Sequence, residues 1–263
     1  MKKVLAILCL IASLPVNAGL EVGIGGVATY VPHYIGSDEA ETYYLPFPYL
    51  RYRSDKITID RDLIQGNMWS SGNWSLELSI GGSVKVESDK SQARTGMDDL
   101  DFIIEVGPAM HYFFMGDRKA DNALFLEFPL RMATSTDFTD LQYQGFTFTP
   151  RFVWRRGYMI NEYEVRPQIS VGLRSGDERI HDYFYGVDTE FVTADRSAYK
   201  GQAGYGGMQF NYSTAVLWGN WLTAGFVRYV NSNGAAFVDS SLVKQDDNWV
   251  VGFAVAYLFA DED

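Results

Sequence analysis

DFIIEVGPAMHY, residues 101–112, alternates two chemically opposite sets of side chains without a break. Phe102, Ile104, Val106, Pro108, Met110 and Tyr112 share one face, and Asp101, Ile103, Glu105, Gly107, Ala109 and His111 share the other. A period of two is the signature of a strand. Soluble strands usually run about 5 to 6 residues, whereas a tilted strand needs roughly 9 to 11 to cross a bilayer. The length of this one therefore points to a membrane wall.

The pattern recurs along the chain. Strands are expected at Leu20–Tyr30, Tyr43–Arg53, Lys56–Gln65, Asn73–Val86, Ala123–Ala133, Gly145–Arg155 and Ile160–Arg174. The C-terminal part adds a short candidate at His181–Val187, then Gly204–Trp218, a Gly219-Asn220 turn, Trp221–Asn231 and Trp249–Phe259. Glu87–Leu100 reads as a polar, mobile loop. The fold class is all-β, a closed antiparallel transmembrane β-barrel of about 12 strands, with 10 as the nearest alternative because single-chain bacterial barrels use even numbers. Prolines at 46, 48, 108, 129, 150 and 167 count against a regular ladder, since each lacks a donor. A soluble sandwich or lipocalin-like barrel would also alternate, but strand length, leader and aromatic strand ends favour the membrane.

Lys2 and Lys3, the apolar run Val4–Leu14 and the small-residue exit Val16-Asn17-Ala18 form a signal peptide cleaved after Ala18. Residues 19–263 are then a single outer-membrane domain. The one cysteine, Cys9, falls inside the leader, so the mature chain has no disulfide and no cysteine site. A formal charge of −11 excludes a nucleic-acid binder, which would need a basic face. No cofactor or metal is expected: His33, His111 and His181 stand in no metal-ligand spacing, and the serine-hydrolase elbow G-x-S-x-G is absent.

With the apolar set facing lipid, the charged set faces the lumen. Glu77, Glu105, Glu127, Arg131, Arg151, Arg155, Glu162, Glu164 and Arg166 would share it, with Arg51, Arg53 and Asp60 nearby. Unpaired interior charge is costly, so opposite charges at similar depth should pair. A salt-bridged filling and a charged pore or small-ligand site both fit this set. Asp98-Asp99 with His181-Asp182 loosely resembles the acids and His/Asp couple of outer-membrane aspartyl proteases, but two acidic loops with an incidental histidine are the expected reading. Gly23-x-Gly25-Gly26 relieves crowding in a strand rather than cradling a nucleotide. Loop acids such as Asp38, Glu39, Glu41, Asp246 and Asp247 are solvated, or meet the cations that bridge lipopolysaccharide.

Gly36-Ser37 after Pro32-x-Tyr34, and Pro46-Phe47-Pro48 leading into Tyr52-Arg53, resemble the N-terminal pattern of the MipA/OmpV family of outer-membrane proteins. Gly96-Met97-Asp98-Asp99 with Glu105-x-Gly107 is similar to that family's middle segment. Tyr183-Phe184-Tyr185-Gly186-Val187 resembles its YYGV-type motif, and Asp239-Ser240-Ser241-Leu242-Val243 its loop before the final strand. The resemblance implies a non-enzymatic outer-membrane β-barrel. In one branch it implies a scaffold linking a lytic transglycosylase to a bifunctional murein synthase, and in others an adhesin. It also implies contact with outer-membrane lipid and lipopolysaccharide and with the barrel-assembly machinery. Family barrels usually stop at the terminal aromatic, whereas Ala260-Asp261-Glu262-Asp263 follow Phe259 here.

Overall fold

The computed structural model describes residues 20–53, 57–60 and 63–259, with side chains given for 22–49 and 68–259. Ala18, Lys56 and the acidic tail 260–263 therefore lie outside the described residues. Among the described residues, fourteen strand segments join one antiparallel sheet. They are β1 (Leu20–Pro32), β2 (Ala40–Arg53), β3 (Ile57–Asp60), β4 (Leu63–Ser71), β5 (Trp74–Ser83), β6 (Phe102–Met115) and β7 (Ala123–Thr136). There follow β8 (Leu141–Phe148), β9 (Arg151–Arg155), β10 (Tyr158–Ile160), β11 (Tyr163–Gly176), β12 (Gly204–Trp218), β13 (Trp221–Asn231) and β14 (Asp247–Leu258). One helix, α1 (Glu178–Tyr185), lies between β11 and β12. No helix among the described residues is long and apolar enough to cross a membrane.

The sheet closes on itself. β1 pairs with β14 and with β2, and at the far side β11 pairs with β8, β9 and β10. All three of those segments hold β11 in one unshifted register, from Thr147↔Gly176 through Arg151↔Gly172 to Ile160↔Tyr163. They form one wall element, broken at Thr149-Pro150 and at Arg156-Gly157. Pro150 supplies the first break because it has no N–H to give a ladder. Counted this way the wall has about the expected twelve members, but their identities differ from the expectation in two places.

The expected strand His181–Val187 is helical through Tyr185, with Gly186 as the cap and Val187 in an isolated bridge to Tyr199. Asp177 caps α1, its side chain accepting the Ile180 N–H at 3.0 Å, and Ile180, His181 and Tyr185 bury one helical face. The apolar spacing of three and four had been taken for alternation. The Lys56–Gln65 segment is also not one strand: β3 and β4 pair with each other, Asp60 opposite Leu63 and Ile57 opposite Gly66. β3 meets β2 only at Tyr52 and Arg53, so among the described residues the other half of β2 has a ladder on its β1 side alone. Pro46 and Pro48 lie in that half, where missing donors cost little. The Tyr43 hydroxyl crosses the gap to the Lys85 carbonyl at 3.3 Å.

The opening stretch behaves as its alternation predicts. In β6, Ile104, Val106, Pro108 and Met110 are exposed, and Ile103, Ala109, His111 and Phe113 are buried inside. In β14, Trp249, Val251, Phe253, Val255 and Tyr257 face outward in turn. Trp249 to Tyr257 spans about 27 Å along the strand, or about 21 Å along the axis at a tilt of about 40°, close to the apolar band of outer-membrane barrels. Aromatic pairs mark both rims: Tyr229–Trp249 at one, and Trp74–Tyr112 and Trp221–Tyr257 at the other.

The two ends differ. Short turns at 72–73, 116–122, 161–162 and 219–220 close one end, with Asn161 (φ 53°) and Gly219 (φ 50°) in the left-handed conformation that tight hairpins require. The other end carries loops 33–39, 84–101, 137–140, 177–203 and 232–246.

Candidate functional site

The lumen is charged on one side and apolar on the other. On β5, β6, β7 and β9 the inward residues bring most of the expected network together. Arg151 grips Glu127 with two contacts, Nε to Oε2 at 2.5 Å and Nη2 to Oε1 at 3.0 Å. Arg131 donates to Ser79 at 2.9 Å and reaches Glu105 and Thr149 at 3.5 and 3.4 Å, while Thr147 also donates to Glu105 at 3.0 Å. Glu77, 2% exposed, accepts from Ser75 at 3.0 Å and lies 3.3 Å from His111 Nδ1. His111 stands 3.8 Å from Glu127 through its other nitrogen, so one ring bridges two carboxylates.

The remaining expected residues lie apart from that group. Glu164 and Arg166 pair with each other near the start of β11. Arg155 donates to the Asp117 and Arg118 carbonyls at 2.8 and 2.7 Å, pinning the 116–122 turn. Glu162 is exposed in the 161–162 turn. The side chains of Arg51, Arg53 and Asp60 are outside the described residues.

Across the lumen the filling is apolar. Tyr49, Ala215, Leu222, Ala256 and Leu258 form a buried cluster with Phe47, Leu217 and Ala224 against it. Gly25 makes room for it: a Cβ there would stand 2.7 Å from the Phe47 ring and 2.8 Å from the Ala256 methyl. This accounts for the glycine pair by close packing, with no ligand needed.

Four of the loops build a roof over the lumen, which alternation alone does not reveal. Tyr34, Val86, Leu100, Tyr185, Val187, Ala235, Phe237 and Leu242 share one buried cluster. The Tyr185 ring stacks on Phe237 at 3.7 Å and 10°. Tyr34 donates to the Leu242 carbonyl at 2.9 Å, Tyr185 to Ile35 at 2.8 Å, and Ser240 to Tyr185 at 2.7 Å. Burial pushes the Tyr34 and Tyr183 phenols up to about 12, and Tyr185 higher still, so all three stay neutral. The Glu87–Leu100 segment, expected to be mobile, is tied down by a Val86↔Leu100 bridge and by buried Arg94, which donates to Phe184 and Asp98 carbonyls at 3.2 and 3.1 Å. A polar sequence concealed this because its polar groups are spent on backbone carbonyls, Ser88, Arg94 and Thr95 on those of the same loop and Arg94 also on Phe184 of the helical loop.

The residues that suggested a protease are engaged separately. Asp99 accepts the Ser88 N–H at 2.8 Å and pairs with Lys85, which together hold its carboxyl below the usual range. Asp182 accepts the Gly201 N–H at 2.7 Å, and His181 Nδ1 meets the Gln202 carbonyl at 2.6 Å. The charges felt by His181 are those of Arg174 and Asp177. Among the described residues no cluster of three His, Cys, Asp or Glu side chains is placed to hold a metal. The loop acids Glu39 and Asp247 accept from Gln92 N–H at 2.8 Å and from the Tyr229 hydroxyl at 2.5 Å.

Two cavities remain inside, of about 450 Å³ beneath the roof and about 430 Å³ toward the turns. Ile80, Arg131, Arg151 and Arg228 border both. Arg174 and Arg228 lie outside the lumen set expected from the sequence: Arg174 ends its alternating run, and Arg228 stands among Phe226, Val227, Tyr229 and Val230 in β13, where no charge pattern marks it.

Among solved structures, a triple mutant of the Rh. blastica porin matches at 8% identity and TM-score 0.17, covering 92% of this chain and 99% of that one. Pseudomonas aeruginosa OccK7 (OpdD) matches at 8% identity and TM-score 0.18, with the same coverage of each chain. Superpositions this poor carry no argument. No curated protein matches the sequence. The model of the family described as MltA-interacting protein MipA matches residues 24–259. The roof is assembled from the loops holding Gly36-Ser37, Gly96-Asp99, Tyr183-Val187 and Asp239-Val243, the very segments whose order resembles that family, and the chain belongs to it.

Proposed function

We propose that this protein is a non-enzymatic outer-membrane scaffold that holds murein-processing enzymes at the inner face of the outer membrane. The family's description as MltA-interacting protein is the observation that carries this reading. The barrel's build supports it: an apolar outer band suited to lipid, a lumen occupied by ion pairs and aromatic rings, and a roof of packed loops leave interaction surfaces as the natural working parts. The short-turn end, where the described chain both begins and ends, would face the periplasm after removal of the leader at Ala18. The partners would be a lytic transglycosylase and a bifunctional murein synthase, with lipopolysaccharide around the other rim.

The test is binding of the soluble domain of a lytic transglycosylase to the full chain in detergent micelles, read by biolayer interferometry. Saturable binding that is lost when the exposed 116–122 turn is replaced by Gly-Ser supports the scaffold. Absence of binding at 100 μM or so, on the order of the weakest useful envelope contacts, removes it. A second reading, a small ligand-selective channel, is favoured by one observation, the shared Arg-lined border between the two cavities. Planar-bilayer recordings separate the two: the scaffold gives no reproducible steps, and the channel gives steps altered by Arg151→Gln.

A further inference from the structure

Among the described residues, the upper cavity is lined by more positive than negative side chains. Arg131, Arg151, Arg174 and Arg228 all border it, with Glu105 as the carboxylate on its lining. Arg131 is held by Glu105, and Arg151 by Glu127. Arg174 and Arg228 form no ion pair among the described residues; Arg174 contacts the Gln209 amide oxygen at 3.4 Å and Arg228 the Asn211 amide oxygen at 2.7 Å. An amide oxygen orients a guanidinium but cannot cancel its charge. The two cations come from β11 and β13, on either side of β12, and both line the same cavity of about 450 Å³.

Two guanidinium groups without a carboxylate partner on one cavity wall favour an anion that brings the missing carboxylate or phosphate. The opposite side of the same space is apolar: Ile180, Phe184 and Phe237 of the roof line it. We infer that the upper lumen is a binding site for a small organic oxyanion, its carboxylate or phosphate on Arg174 and Arg228 and its apolar body under Phe184 and Phe237. The inference does not depend on the scaffold reading, since a plugged barrel and a channel can each hold such a ligand.

The experiment is isothermal titration calorimetry on the full chain folded in detergent, at low salt and pH 7, with benzoate, inorganic phosphate and tetramethylammonium as probes. Benzoate binds saturably and is displaced by sulfate at constant ionic strength; tetramethylammonium gives no saturable heat. Phosphate binding that survives Phe184→Ala, while benzoate weakens, shows that the head group is read by the arginines and the body by the roof. Arg174→Gln and Arg228→Gln each weaken the anion by about tenfold or more, the scale of a lost charge-assisted pair. Gel mobility of the unheated variant checks that the barrel has folded, and sulfate competition on the unaltered chain tests the site if either variant fails. No saturable anion binding, equal binding of the cation, or folded arginine variants that bind as the parent does would each overturn the assignment.

Discussion

Replacing Glu127 by Gln keeps the side chain's shape and removes its charge from the centre of the ion-pair group. The carboxylate is 6% exposed and holds Arg151 at 2.5 and 3.0 Å, with His111 Nε2 3.8 Å away. Unit charges about 4 Å apart attract by about 4 kcal/mol at an effective dielectric constant of about 20. Mutational experience with broken buried pairs gives about 3 to 5 kcal/mol. Arg151 borders both cavities, so water can solvate its far side and the loss belongs at the lower end. The expected destabilisation is about 3 kcal/mol, from the Coulomb and mutational figures together. Urea unfolding of the chain in lipid vesicles, followed by tryptophan fluorescence, reads it as a shifted midpoint at unchanged slope. Arg151→Met in the same background should recover part of the loss, with a coupling energy of about 1.5 kcal/mol or more. A Glu127→Gln protein within about 0.5 kcal/mol of the parent, or a coupling near zero, would refute the view that these pairs hold the wall.

Phe253 faces outward in the middle of β14 and is 57% exposed. Phe253→Arg should cost about 2 to 4 kcal/mol in vesicles, and a loss below about 1 would place that face away from lipid. Tyr185→Ala removes the ring stacked on Phe237, so limited proteolysis within 177–203 should quicken at least about tenfold while the barrel stays folded; an unchanged cutting rate contradicts a packed roof. Burial lowers the pKa of His181, opposed by its contact with the Gln202 carbonyl, so the folded roof holds it neutral. The unfolded histidine takes a proton near about 6.5, so the roof is at full strength above that pH and weakens as pH falls toward the folded value. Proteolysis of 177–203 should therefore speed up between pH 7 and 5, and the acceleration should shrink in His181→Gln; an identical pH profile in that variant assigns the effect to other groups.

How much of this was legible depends on what each residue answers to. The wall was readable because alternation is a local consequence of the pleat, and one face of β6 or β14 must meet lipid whatever its neighbours do. The errors came where a period was read from too few residues. Asp177 is an N-cap, and Ile180, Phe184 and Tyr185 follow at helical spacing, a signal present in the sequence but overridden by the run of aromatic residues at 183–185. The split of the expected Lys56–Gln65 strand falls at the charged run Asp60-Arg61-Asp62, which alternation alone does not read as a turn. Glu105 with Arg131 and Glu127 with Arg151 could be foreseen as sharing a lumen, because inward position follows from parity along a strand. Which carboxylate meets which arginine could not, because it depends on register between strands: Glu127 lies opposite Arg151 across β7 and β9, a pairing that Pro150 leaves in step. The roof was the least legible part, its cohesion resting on hydrogen bonds from Tyr34, Arg94 and Ser240 to carbonyls about 50 to 200 residues away in sequence.

The uneven filling of the lumen explains where its surplus charge lies. Along β5, β6, β7 and β9, neighbouring strands contribute both signs, so Glu105, Glu127, Arg131 and Arg151 find partners across a single ladder. On β14 and β1 the inward positions whose side chains are described include Ala256, Leu258, Gly23 and Gly25, a close-packed surface without a carboxylate. β11 and β13 stand between these two halves, and their inward arginines meet no carboxylate among the described residues. Arg228 is open to the water of the lumen, so its charge is neither cancelled by a carboxylate among the described residues nor hidden from an incoming anion. That Arg228 is set by Asn211, and Arg174 by Gln209, means that two polar side chains of β12 are committed to aiming unneutralised charge into one chamber. Substituting Gln209 and Asn211 by Leu should thus leave the ion pairs of β7 and β9 intact while releasing both guanidinium groups, separating the part of the lumen that supports the barrel from the part that is arranged to receive something.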